Sequence, residues 1–190
     1  MVDHLIKIIN WIDVMMFFLF LRVIFVGVQT GIISELFKIL GTIAAVFITL
    51  HCYSWLAAWL ALKINYPWKY YDLVAATLLA GIVVFVFKLI RDGLVLLFKA
   101  ETTHQGFDKY SAGVVGIGRG ILICSLMMFL LLLLYNGAMT RTIFRSYSYK
   151  IAGHAAVGTY GFLYNNIVGK LSSGGHYNAA AVKVVSPLGR

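Results

Sequence analysis

Proline occurs twice in 190 residues, acidic side chains seven times, and only 12% of the chain is charged. So little proline leaves long helices uninterrupted. So little charge excludes a disordered chain, which needs low hydrophobicity and dense charge. It also excludes an ordinary soluble domain, in which roughly a quarter of residues are charged. Cysteine is scarce as well. Cys52 and Cys124 lie at the end of or inside apolar runs, without the spacing of a metal site or a disulfide framework, and read as buried, unreactive thiols. The histidines His4, His51, His104, His154 and His176 are dispersed, with no His-x-x-x-His or paired carboxylates of metal-site type. No Gly-x-Ser-x-Gly elbow and no Walker-type loop is present. The expectation is a non-enzymatic chain with no catalytic residue, cofactor or metal.

What the chain has in excess is apolar sequence: 61% of residues are hydrophobic and the mean hydropathy is +0.88. A helix needs roughly 20 mostly apolar residues to cross the hydrocarbon core of a bilayer. Four stretches qualify: Trp11 to Val28, Glu35 to about Tyr53, Leu73 to Ile90, and Val114 to Tyr135. Lipid satisfies no free backbone group, and β-barrel strands would be shorter and alternate polar with apolar. The fold class expected is therefore an all-α integral membrane protein with four transmembrane helices arranged as two antiparallel hairpins. The first run is long, contains Arg22 and lacks a small-x-small cleavage site, so it reads as a retained helix rather than a signal peptide.

The connections support this threading. Gln29 to Ser34 is short enough to make the first two helices a hairpin. Tyr53 to Asp72 carries Trp55, Trp59 and Trp68, and Trp11 falls on the same side, so all four tryptophans share one membrane interface. Within that connection, Ser54 to Leu62 has the composition of a separate short helix lying in the headgroups. Residues 1–135 form the membrane domain on this reading. Residues 136–171 form an amphipathic interfacial segment, and the Gly/Ser/Ala-rich stretch 172–190 a flexible tail. The net charge of +9 sits mostly on residues flanking the apolar runs, which points to anionic lipid headgroups rather than nucleic acid as the partner. Six basic residues on one side face about five on the other, too even for the positive-inside rule to set an orientation.

Two constellations stand out from the apolar background. The first runs from Gly27 through Gly31 to Glu35 across the first hairpin. Small residues four apart let helix backbones approach closely, and a carboxylate in the first turn of a helix is favoured by the dipole. Glu35 thus reads either as a simple cap or as a functional group. The second is Asp108, Ala112, Gly116, Arg119 and Gly120. At about 100° per residue, Asp108, Ala112, Gly116 and Arg119 fall within roughly 80° of arc. Either this stripe packs helices while Arg119 snorkels to the headgroups, or Arg119 has a buried partner. Arg119 is expected to meet Glu35, with Asp108 as the rival partner on its own helix face. Arg22, midway through the first span, is expected to face protein or water, with Glu35, backbone carbonyls or a second subunit as its partner, because an arginine at that depth is costly in lipid.

These residues carry a family resemblance. Trp11-Ile12-Asp13, Gly31-x-x-x-Glu35 and Asp108-x7-Gly116-x-x-Arg119-Gly120, with four helices in matching order, resemble the colicin V production (CvpA) family of bacterial inner-membrane proteins. The family pattern has glycine where this chain has Ala112, and commonly a basic residue where it has Thr30. The resemblance implies a multi-pass inner-membrane protein that supports production or export of a peptide toxin, or envelope homeostasis, through a membrane partner or as a homo-oligomer. Two other readings remain open: a small oligomeric channel or transporter using intramembrane basic residues, and a structural subunit of a larger membrane assembly.

Overall fold

The structure, a computed structural model, describes residues 10–64, 70–98, 105–134, 137–171 and 177–186, of which 94–98, 105–108 and 171 by their backbone alone. Four long helices dominate: α1 (Trp11–Thr30), α2 (Ile32–Lys63), α3 (Tyr71–Phe98) and α4 (Gln105–Leu132). All four contain segments long and apolar enough to cross a membrane. The chain is an all-α protein with four candidate spans, as its apolar runs require.

The helices outrun those apolar runs. α2 continues through Ser54 to Lys63 without a break, so the short separate helix expected over Ser54 to Leu62 is the last third of one 32-residue rod. At 1.5 Å per residue such a rod spans roughly 48 Å, well beyond the roughly 30 Å hydrocarbon core. Its distal turns present Trp55 and Trp59 on the exposed face, and Trp11 is exposed at the start of α1. No proline or glycine interrupts residues 54–63, so nothing local stops the helix where the hydropathy falls. Trp68 lies outside the described residues.

The spatial neighbours are set by small residues rather than by the connections. α1 turns into α2 through the single residue Gly31, whose φ of 76° is a conformation that favours glycine, yet the two helices touch little after the turn. α1 packs along α4 instead, and α2 packs along α3 and α4, while α3 and α4 scarcely meet. The pairing within two hairpins expected from the sequence therefore gives way to α1 with α4 and α2 with α3. The cause is visible at the contacts. A Cβ on Gly120 of α4 would lie 2.7 Å from the Phe20 ring of α1, and one on Gly41 of α2 would lie 2.8 Å from Cβ of Phe87 on α3. Half of the apolar window of α4 is buried, against a third or less for the other three. α4 is the central helix.

The C-terminal part closes the tryptophan end. α5 (Gly137–Arg145), α6 (Tyr147–Ala152) and α7 (Ala155–Leu163) place Ile143, Tyr149, Ala152, Ala156 and Tyr160 in one buried cluster with Ile12, Leu50, Phe129 and Leu132 of the long helices. A π-helical segment (Tyr164–Val168) and the single turn α8 (Gly169–Leu171) follow. The flexible tail expected over 172–190 is corrected by α9 (Ala179–Val185), whose Ala181, Val184 and Val185 are buried. The Asn178 side chain donates to Leu50 O (2.8 Å) and Ser54 Oγ (2.9 Å) of α2. A Gly/Ser/Ala-rich composition does not report one anchoring amide or three small apolar residues that find a groove.

Candidate functional site

At the Gly31 end of the bundle the backbones of α1 and α4 come close enough to enclose a carboxylate. A Cβ on Gly27 would stand 3.2 Å from Glu35 Oε1 and 3.4 Å from Ala112 O, and one on Gly116 would stand 3.6 Å from Ile24 Cα. Glu35, in the first turn of α2, is fully buried in the space these residues leave. Arg119 crosses from α4 to meet it, with Nε 2.9 Å from Oε1. The same guanidinium donates from Nη2 to Val23 O of α1 at 3.1 Å. Arg119 thus ties three helices together, with Glu35 as its ion-pair partner. The side chain of Asp108 lies outside the described residues.

The geometry of the pair has a defect. Nε and Oε1 are in ion contact, but the N–H does not point at the oxygen, and neither atom completes a directed hydrogen bond. In a poorly hydrated site an unaligned buried pair keeps its Coulomb attraction while forgoing part of the hydrogen-bond energy.

Glu35 has a second cation. Lys38, one turn along α2, places Nζ 3.2 Å from Glu35 Oε2 and 2.5 Å from Thr30 Oγ1. Thr30 Oγ1 in turn donates to Val26 O at 3.0 Å. The Lys38 ammonium therefore sits between the Glu35 carboxylate of its own helix and the Thr30 hydroxyl of α1. Gly27, Gly31, Glu35, Ala112, Gly116, Arg119 and Gly120 therefore belong to one junction. Arg22 does not. It is exposed on α1 and has no ion-pair or hydrogen-bond partner among the described residues, so the proposed pairing with Glu35 is not made.

Beside the junction lies a cavity of about 440 Å³ between α2, α3 and α4. Lys38, Lys88, Arg91 and Arg119 line it together with Val84, Phe87, Ile123 and Leu126. In the sequence Lys88 and Arg91 stand at the end of the third apolar run, where single basic residues are ordinary. Their i, i+3 spacing, which puts both on one face of α3 at the same end as Lys38, was the signal that they act together.

The opposite end is built differently. Asp13, in the first turn of α1, accepts from Asn10 N (3.1 Å) and, through Oδ1, from Ser148 N (2.7 Å) and Ser148 Oγ (2.8 Å). Trp-Ile-Asp is therefore a structural motif: Ile12 fills the core and Asp13 receives the start of α6. Ser125 of α4 bridges Gly153 O (3.2 Å) and Ala156 N (2.8 Å). The Tyr160 hydroxyl accepts from Asn178 N at 2.9 Å and lies 3.2 Å from His51 Nδ1. Burial pushes this phenol above its usual range, partly opposed by the Asn178 N–H, so it stays protonated at neutral pH. No group of three or more His, Cys, Asp or Glu gathers among the described residues.

Comparison with known proteins agrees with this distribution. No curated protein and no solved structure matches the chain. The family model described as colicin V production protein matches residues 12–157, a stretch that begins at the buried Ile12, contains the whole junction and ends just past Ala156. The chain belongs to the colicin V production protein family.

Proposed function

We propose that the protein is a non-enzymatic, multi-pass inner-membrane factor that supports peptide-toxin production or export, or envelope homeostasis, by acting through other membrane components. The observation that carries this reading is the family match over residues 12–157, combined with the use to which the motif residues are put. Glu35 and Arg119 neutralise and position each other at a helix junction, which is the work of a scaffold and not of a reacting pair. The test is a bacterial strain lacking this chain and secreting a colicin V-type peptide. Loss of toxin from the medium or sensitisation to envelope-disrupting detergent, restored by the wild-type chain but not by Arg119→Ala, is the expected result. Unchanged secretion and unchanged detergent tolerance contradict it.

Arg22 favours a homo-oligomeric form of the same reading, in which the partner is a second copy or the copies together line a channel. It is exposed midway along α1 among exposed Phe18, Leu21 and Phe25, and an arginine at that depth needs protein or water beside it. Native mass spectrometry should find multimers that Arg22→Leu dissociates more than Arg22→Lys. Monomer alone in the wild type contradicts the oligomer.

A further inference from the structure

We propose that the cavity between α2, α3 and α4 binds the phosphate headgroup of an anionic membrane lipid, with its acyl chains leaving along the apolar part of the cleft. The proposal stands on the cavity and does not depend on the toxin or envelope reading.

The cavity has a charged end and an oily wall. Lys38, Lys88, Arg91 and Arg119 contribute four cations, while Phe37, Ala45, Val84, Phe87, Ile123 and Leu126 are apolar. Two carboxylates oppose the cations. Glu35 serves Lys38 and Arg119 together, and Asp92 accepts from Arg91 Nε at 2.9 Å. Among the described residues, two of the four positive charges therefore lack a carboxylate of their own. Lys88 is exposed at the rim with no carboxylate partner among the described residues. The second is the charge in excess where Lys38 and Arg119 share the single Glu35 carboxylate. Cations left over at the edge of a membrane span attract an anion that is already abundant there, and basic pockets between transmembrane helices are recurrent headgroup sites.

The shape agrees. A volume of about 440 Å³ lies within the roughly 300–1,000 Å³ typical of ligand sites. The cavity is flanked by α3 and α4 where those two helices scarcely meet, and in the proposed site its mouth opens between them toward lipid. Val84 on α3 is half exposed at that mouth. A phosphate among the cations would place acyl chains against Val84, Ile123 and Leu126 and out into lipid. A free phosphate would fill only the charged end and leave this apolar wall without a ligand.

The test uses the full chain purified in detergent, titrated with phosphatidylglycerol or with phosphatidylcholine of the same acyl chains, and read by native mass spectrometry. Wild-type protein should retain phosphatidylglycerol at least tenfold better than phosphatidylcholine. Lys88→Gln with Arg91→Gln should weaken that retention by about thirtyfold, from roughly a fivefold step per basic residue facing an anionic headgroup. Arg141→Gln with Arg145→Gln removes the same charge elsewhere and should change nothing. Val84→Trp keeps every cation and fills the mouth, so it should lower retention even if the double variant folds poorly. Equal retention of the two lipids, or retention unaffected by both the double variant and Val84→Trp, overturns the proposal. Inorganic phosphate at millimolar concentration displacing the lipid completely would assign the site to a free anion and overturn it. So would dissociation of a dimer by the same variants with lipid retention intact, since a second copy would then fill the cleft.

Discussion

The two ends of the bundle spend their polar groups in opposite ways. At the tryptophan end, Asp13 takes three hydrogen bonds, Ser125 bridges two backbone groups and Asn178 reaches two acceptors on α2. These contacts are mostly neutral or single-charge and well directed, which is how buried polar groups become rigid at little cost. At the Gly31 end, one buried carboxylate is shared by two cations, its closest contact is misaligned, and a basic cavity opens beside it. A closed network fixes a fold; charges left incompletely satisfied beside a cavity are poised to take a ligand. The first end is a closed polar network; the second joins three helices through Glu35 and Arg119 and carries the basic cavity beside them, where the lipid site is proposed.

The largest expected break is at the charged end. Arg119→Ala leaves the buried Glu35 with Lys38 as its one cation among the described residues and removes the bond to Val23 O. Loss of one partner of a buried pair costs about 3–5 kcal/mol, so the variant should fall sharply in membrane abundance and in reversible-unfolding stability in detergent. Gly27→Leu comes next. Its Cβ alone would meet the Glu35 carboxylate and Ala112 O, and overpacking of this kind costs about 1–3 kcal/mol. A thermal melt of the detergent-solubilised protein would register it, and a wild-type melting temperature would show that α1 and α4 can separate without loss.

The tryptophan end should respond in smaller steps. Asp13→Ala removes the acceptor for Ser148 N and Oγ and should cost about 1.5–3 kcal/mol, the range for hydrogen bonds to a charged group. Protease sensitivity should then rise within 142–156 while the four long helices stay intact. Tyr160→Phe removes a hydroxyl that Asn178 N donates to and should cost about 1 kcal/mol. Hydrogen exchange should locate the effect at 177–186, and faster exchange spread over α3 would contradict a local role.

The legible parts of this molecule are those set by short-range composition. Long apolar runs specified four spans, and the small residues at Gly27, Gly116 and Gly120, with the charges at Glu35 and Arg119, were enough to expect an interhelical pair at matching depth. Spatial pairing was less legible. A one-residue turn at Gly31 suggests helices that pack side by side, whereas the fit of Gly120 under Phe20 and of Gly41 under Phe87 selects different neighbours. No periodicity in α1 or α2 alone encodes that choice. The basic cavity was hidden for a related reason: Lys38, Lys88, Arg91 and Arg119 come from three helices, and all but Arg119 look like ordinary flanking charges until α3 is placed against α2. The anchoring of 177–186 rests on one asparagine and a few small apolar residues, a signal too slight to outweigh the surrounding Gly and Ser.

The central claim is that Glu35 and Arg119 act as one unit that holds α1, α2 and α4 together. A double-mutant cycle on unfolding free energy in detergent tests it most directly, with Glu35→Ala, Arg119→Ala and the two combined, and with Glu35→Arg plus Arg119→Glu as the charge-swapped partner. The account predicts that the combined alanine variant is less destabilised than the sum of the single variants by at least 1 kcal/mol, in the range of contacting residues, and that the swapped pair recovers part of the loss. Additive single effects, with no recovery on swapping, would contradict it.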